Sequence, residues 1–193
     1  MISRCLIAVL LASCTPALTI TTAHGRDDEL QTREQLERLL SAHDVSRFTY
    51  TRTIAIDDES IPHSHPVLTL HARHLGSDDL LLSTFLHEQA HWWLEEHPRQ
   101  TDAAVTALRA RFPSLPVGFP DGAQSETSSY EHLIVDHLEH VALRCVLGDA
   151  RASATFAFWE TDHYRGLYAL ERTSEPAIEE IVARAGLTYH CAP

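Results

Sequence analysis

The sequence predicts an α+β protein that is mostly helical. Two short segments, 48 to 56 and 67 to 73, alternate apolar with polar residues and carry β-branched side chains, whereas seven other stretches repeat their apolar residues at helical spacing. The 193 residues, 44% of them hydrophobic, suit one domain with a real core, and no internal repeat or low-complexity linker divides them.

In chain order, Met1-Ile2-Ser3-Arg4 and the apolar run Cys5 to Ala12 read as the n- and h-regions of a secretion signal, too short to span a bilayer. Two processing sites compete. Leu11-Ala12-Ser13-Cys14 resembles a lipobox, giving a leader of 1–13 and a lipid anchor on Cys14; Thr21-Thr22-Ala23 before His24 resembles an ordinary cleavage site, giving a leader of 1–23 and a domain of 24–193. Either way the protein is exported, as a periplasmic, outer-membrane lipoprotein or secreted species, with no transmembrane segment in the mature chain. A first helix over 29 to 42 presents Leu36, Leu39 and Leu40. The two strands follow, bounded by Asp57-Asp58 and Ile61-Pro62. Ser77-Asp78-Asp79 and Pro98 bracket a helix at 78 to 96, and another covers 101 to 111. Pro and Gly make 112 to 122 irregular. A long helix over 126 to 147 stops at Gly148, and helices at 150 to 160, 163 to 172 and 175 to 185 complete the chain.

The most informative stretch is His87-Glu88-Gln89-Ala90-His91. At about 100° per residue the two imidazoles share one helix face, with Glu88 projecting beside them. Leu81, Leu82, Phe85, Leu86, Ala90, Trp92 and Trp93 cover most of the remaining circumference, so the helix is buried and its stripe of Thr84, His87 and His91 needs polar partners. A zinc ion with a third ligand and a water would satisfy the imidazoles. The 126 to 147 helix carries an apolar stripe through Tyr130, Leu133, Ile134, Leu138, Val141, Ala142 and Cys145, opposite His132, Asp136 and Glu139. His132 is the preferred third metal ligand, because Asp136 one turn on is placed to accept the N–H of a motif histidine. Glu139, two turns along at about 10.5 Å, is the alternative.

This pattern resembles the zincin metallopeptidases, and a motif helix followed by a second ligand-bearing helix is similar to their gluzincin branch. The gluzincin second helix carries Glu-x-x-x-Asp; here His132-x-x-x-Asp136 stands in its place, and the 92 to 98 segment lacks the metzincin glycine and third histidine. Ser129 to Val135 further resembles small bacterial proteins of zincin type. The resemblance implies a zincin-like fold, with a small β-sheet packed on the active-site helix and a second ligand-bearing helix. It also implies a zinc-dependent hydrolase, a metallopeptidase in which Glu88 is the general base. His163 and Tyr164, from Asp162-His163-Tyr164-Arg165, are then catalytic candidates for stabilising the oxyanion. The 67 to 73 strand would be the edge that pairs with an extended peptide or protein substrate.

Two other readings use the same residues. Glu88-x-x-His91 and Glu160-x-x-His163, with Glu37 and Glu139, have the composition of a ferritin-like di-iron bundle, although the strands have no place there and His87 goes unused. A degenerate zincin kept as a binding module is the other. His63, His65, His71 and His74 are assigned no metal, His137 and His140 are placed on the helix flank, and His97 at a helix end, where a cation is favoured. A formal net charge of −12 argues against nucleic acid as a partner. After either cleavage Cys145 and Cys191 are the ordinary thiols left, to be read either as a disulfide or as separate thiols.

Overall fold

A computed structural model describes residues 18–191, so the n- and h-regions and the Cys14 lipobox lie outside the described residues. The protein is α+β and 64% helical. Three short strands, β1 (Thr19–Thr22), β2 (Thr53–Ile56) and β3 (Leu68–Leu70), pair in parallel in the order β1-β2-β3. Ile54 stands against Ile20 on one side and Leu68 on the other. Among the described residues six helices accompany them: α1 (Asp27–Ala42), α2 (Asp78–Glu96), α3 (Pro98–Arg111), α4 (Glu126–Leu147), α5 (Asp149–Trp159) and α6 (Arg165–Arg184).

β1 falls inside the segment that cleavage after Ala23 would remove. Its Thr19 N–H donates to the Arg52 carbonyl at 2.8 Å, the Ala23 N–H donates to the Ile56 carbonyl at 2.9 Å, and Ile20 packs on the core. A chain cut after Ala23 lacks this strand, whereas one cut before Cys14 keeps it. The strands expected at 48 to 56 and 67 to 73 are both shorter than their patterns. Gln89 takes the first segment's backbone: its Oε1 accepts the N–H groups of Tyr50 and Thr51 at 2.7 and 2.9 Å, and its Nε2 donates to the Thr51 carbonyl at 2.8 Å. After β3 the His71 Nδ1 accepts the Arg73 N–H at 2.7 Å, turning the chain into one 3-10 turn at Ala72–His74.

α2 has the predicted bounds. It is buried almost all round, through Leu81, Leu82, Phe85, Leu86 and Ala90, between the sheet and α4. α4 is the central helix, packed against α2, α3, α5 and α6. α3 starts at Pro98 rather than 101, because proline's fixed φ and missing N–H suit the first helical position. The two helices expected at 163 to 172 and 175 to 185 are one, running through Pro176. Leu167, Tyr168, Glu171, Ile178 and Val182 make one buried stripe across that proline, and burying it outweighs a break costing about 3 kcal/mol.

Cys145 and Cys191 form a disulfide, which settles the alternative left open by the sequence and ties the tail back to α4. The tail then lays Tyr189 against Phe48, Tyr50 and Trp93. Among the described residues no helix is long and apolar enough to cross a membrane.

Candidate metal centre

α2 supplies His87, Glu88 and His91 from consecutive turns, and α4 supplies His132 from its second turn. These elements bring the three imidazoles together: ring centroids are 5.1 Å apart for His87 and His91, 5.7 Å for His87 and His132, and 4.9 Å for His91 and His132. One nitrogen from each lies within 4.8 Å of the others. The His132 Nδ1–H donates to the Ser128 carbonyl at 2.8 Å and the His87 Nδ1–H to Glu139 Oε2 at 3.0 Å, so both rings keep an Nε2 lone pair free. Burial lowers His87 and His132 to about 4, and burial together with its two imidazole neighbours takes His91 well below the usual value. All three rings are therefore neutral near pH 7, the form that binds a cation.

Glu139, named as the alternative ligand, instead holds the back of His87. It is fully buried, and besides the His87 N–H it accepts the Tyr168 hydroxyl at 3.0 Å and the Ser83 hydroxyl. Ser83 in turn accepts the Trp159 indole N–H at 2.9 Å. The role expected of Asp136 thus falls to Glu139. Asp136 Oδ1 is 3.6 Å from His87 Nδ1, and neither of its buried oxygens has a hydrogen-bond partner. Both carboxylates are buried on α4, but Glu139 Oε2 reaches His87 Nδ1 at 3.0 Å and Asp136 stops short at 3.6 Å. Burial, then the charges of Glu139 and Glu171, push the Asp136 carboxyl far above the usual range.

Glu88 faces the same cleft as the imidazoles, a cavity of about 400 Å³. Burial, with Glu139 the second cause, pushes its carboxyl up to about 8. His163 and Tyr164 also line this cleft, so the structure brings every predicted site residue to one place. The Tyr164 ring lies 4.5 Å from that of His132, and burial raises its hydroxyl to about 12. Its backbone has φ 47°, a left-handed conformation costing a non-glycine residue of order 1 kcal/mol. The turn is held because the Arg165 and Gly166 N–H groups donate to the Pro120 and Asp121 carbonyls, each at 3.0 Å. A Cβ on Gly166 would stand 2.8 Å from Pro116, so only glycine allows this approach. His163 donates to Asp162 Oδ2 at 2.8 Å, and Arg73 holds the other oxygen of Asp162.

One expectation fails here. The outer edge of β3 is closed, not open: His63 and Thr69 exchange backbone hydrogen bonds at 3.1 and 2.8 Å, so no substrate strand can pair at Thr69. His137 and His140 lie off the ligand face, on the flank of α4 that is buried against α6, where both Nδ1 atoms face Glu171 at 3.1 to 3.3 Å. The di-iron set is not assembled, since Glu37 is 3.8 Å from Arg33 on the exposed side of α1 and Glu160 pairs with Arg172. Sequence reasoning missed Ser83, Trp159, Tyr168 and the 61–64 wall, none of which belongs to a motif. Protein-family models, curated proteins and solved structures give no match to this chain.

Proposed function

We propose that the protein is an exported zinc-dependent hydrolase of zincin type that acts on peptides. The observation carrying this reading is the convergence of three neutral imidazoles, two with their outer N–H already committed, beside a buried carboxyl at the floor of an open cleft. The donor set fits zinc: three neutral imidazoles each offer a nitrogen, and these lie within 4.8 Å of one another.

His87, His91 and His132 would hold the ion. Bound zinc would supply an acidified water and a polarised carbonyl, and its charge would favour the carboxylate form of Glu88. Glu88 takes the proton of the attacking water on its carboxylate and passes it to the leaving amine. Tyr164 donates a hydrogen bond from its hydroxyl to the oxygen on which charge develops, and the preset turn at its backbone removes the need to reorganise for that contact. His163, its Nδ1–H fixed on Asp162, turns its other ring edge to the cleft as a further polar contact. Glu139 orients His87 through the hydrogen bonds from Ser83 and Tyr168.

The test begins with a peptide-library screen of the parent protein. Glu88→Gln is expected to keep one zinc per chain by mass spectrometry of the metal while turnover falls at least about 10²-fold. Unchanged turnover, or a parent that binds no zinc, would refute the reading.

A further inference from the structure

Five large hydrophobic residues are exposed among those described, and the two most exposed, Ile61 at 77% and Phe119 at 83%, both line the cleft. They come from different connections, Ile61 from the loop between β2 and β3 and Phe119 from the loop between α3 and α4. Single exposed hydrophobics need no explanation, but two converging on one concave site mark a binding feature.

Neither is on a loose loop. The Ile61 loop is pinned by the His63–Thr69 backbone pair, by a hydrogen bond at 2.9 Å between His63 Nδ1 and the Ile61 carbonyl, and by the Trp92 indole N–H donating to the Ser64 carbonyl at 2.9 Å. The Phe119 loop is closed by Gly118 N–H to the Ala123 carbonyl at 2.7 Å. It is fastened to α6 through Pro120 and Asp121, the latter also paired with Arg165 at 2.8 Å. The chain thus holds two exposed apolar side chains at the cleft, on loops whose backbones are hydrogen-bonded to the body of the protein.

Two further observations narrow what they receive. Main-chain pairing at Thr69 of β3 is already taken by His63, which turns attention to side-chain contacts. The one lysine or arginine of the cleft, Arg73, is committed to Asp162, and the carboxyl of Glu88 is reserved for proton transfer. Among the described residues the walls offer no lysine, arginine or acid left over to grip an ionic side chain.

We propose that Ile61 and Phe119 select a peptide segment by a bulky apolar side chain held between them. This rests on the reading of the site as a peptidase, and selection and hydrolysis are measured separately. Zinc-loaded Glu88→Gln, which holds substrate without cleaving it, is titrated by fluorescence anisotropy with short labelled peptides differing at one position, Leu or Phe against Ser, Glu or Lys. The apolar peptides are expected to bind at least about tenfold more tightly. Adding Phe119→Ser or Ile61→Ser should each erode that ratio severalfold, with zinc content and circular dichroism unchanged because both side chains stand in solvent. Equal binding of apolar and charged peptides, or an intact ratio in both serine variants, overturns the proposal. Absence of zinc or of turnover in the parent overturns the hydrolase reading instead, and leaves a measured preference for apolar peptides standing.

Discussion

Replacing Glu139 separates the brace from the ligands. In Glu139→Ala, His87 loses the acceptor of its Nδ1–H at 3.0 Å, so the ring is free to rotate and to change tautomer. Loss of such a partner lowers metal affinity about 10- to 100-fold, roughly 1.4 to 2.7 kcal/mol of zinc binding. The same change strands the hydroxyls of Ser83 and Tyr168, both buried, at about 1 to 3 kcal/mol each. Against this stands the relief of removing a buried carboxyl that burial has already raised to about 7. We expect a net loss of about 2 kcal/mol in the apo-protein. Glu139→Gln keeps an acceptor oxygen, so it should keep most of the stability and lose about tenfold in zinc affinity. Asp136→Asn is the control, since Asp136 is as deeply buried but has no hydrogen-bond partner, and should change zinc affinity less than about threefold. Affinity is read by competition with a chromogenic chelator and stability by thermal melts of the apo-protein. If both Glu139 variants bind zinc within about twofold of the parent, or if Asp136→Asn is the damaging change, the assignment of the brace is wrong.

Opening the disulfide with Cys145→Ser frees a loop spanning a sequence separation of 46, and chain entropy sets the loss at about 4 kcal/mol, to be read from urea unfolding; an unchanged midpoint would show that the tail contributes nothing. A chain beginning at His24 is expected to melt at least about 5 °C below one that retains β1, because β2 then becomes an edge with unpaired backbone groups, and equal melting would make β1 dispensable. Burial raises the Glu29 carboxyl, but its hydrogen bonds from His24, Arg26 and Asp58 outweigh that and bring it to about 2. A folded value below the usual 4.5 stabilises above about pH 4.5 and is lost as the pH falls toward 2. The stability advantage of the parent over Glu29→Gln should therefore shrink across that interval in urea titrations.

The helix at 78 to 96 and its stripe were legible because a buried helix writes its phase into the chain at 3.6 residues per turn. The same periodicity placed the 126 to 147 helix and put His132 and Glu139 on its polar side. It did not reveal that this side is buried, since a polar face reads alike whether it meets solvent or a cleft. The brace was expected at Asp136 and stands at Glu139, because the choice rests on less than an ångström at a helix crossing. β1 was hidden within a stretch whose composition suits a leader, and only pairing with β2 makes it a strand. Local pattern failed likewise at Pro176, where α6 continues because burial of Ile178 and Val182 exceeds the local penalty.

By itself, then, the sequence determined the bounds of α2 and α4, the mostly helical α+β class and the candidate ligand and base residues, all set by spacing along one or two elements. Tertiary structure decided which carboxylate stands behind His87, that β3 has no free edge, and that Ile61 and Phe119 meet at one cleft. Those outcomes depend on contacts between residues far apart in the chain, such as Ser83 with Glu139 and His63 with Thr69, and no periodicity records such distances.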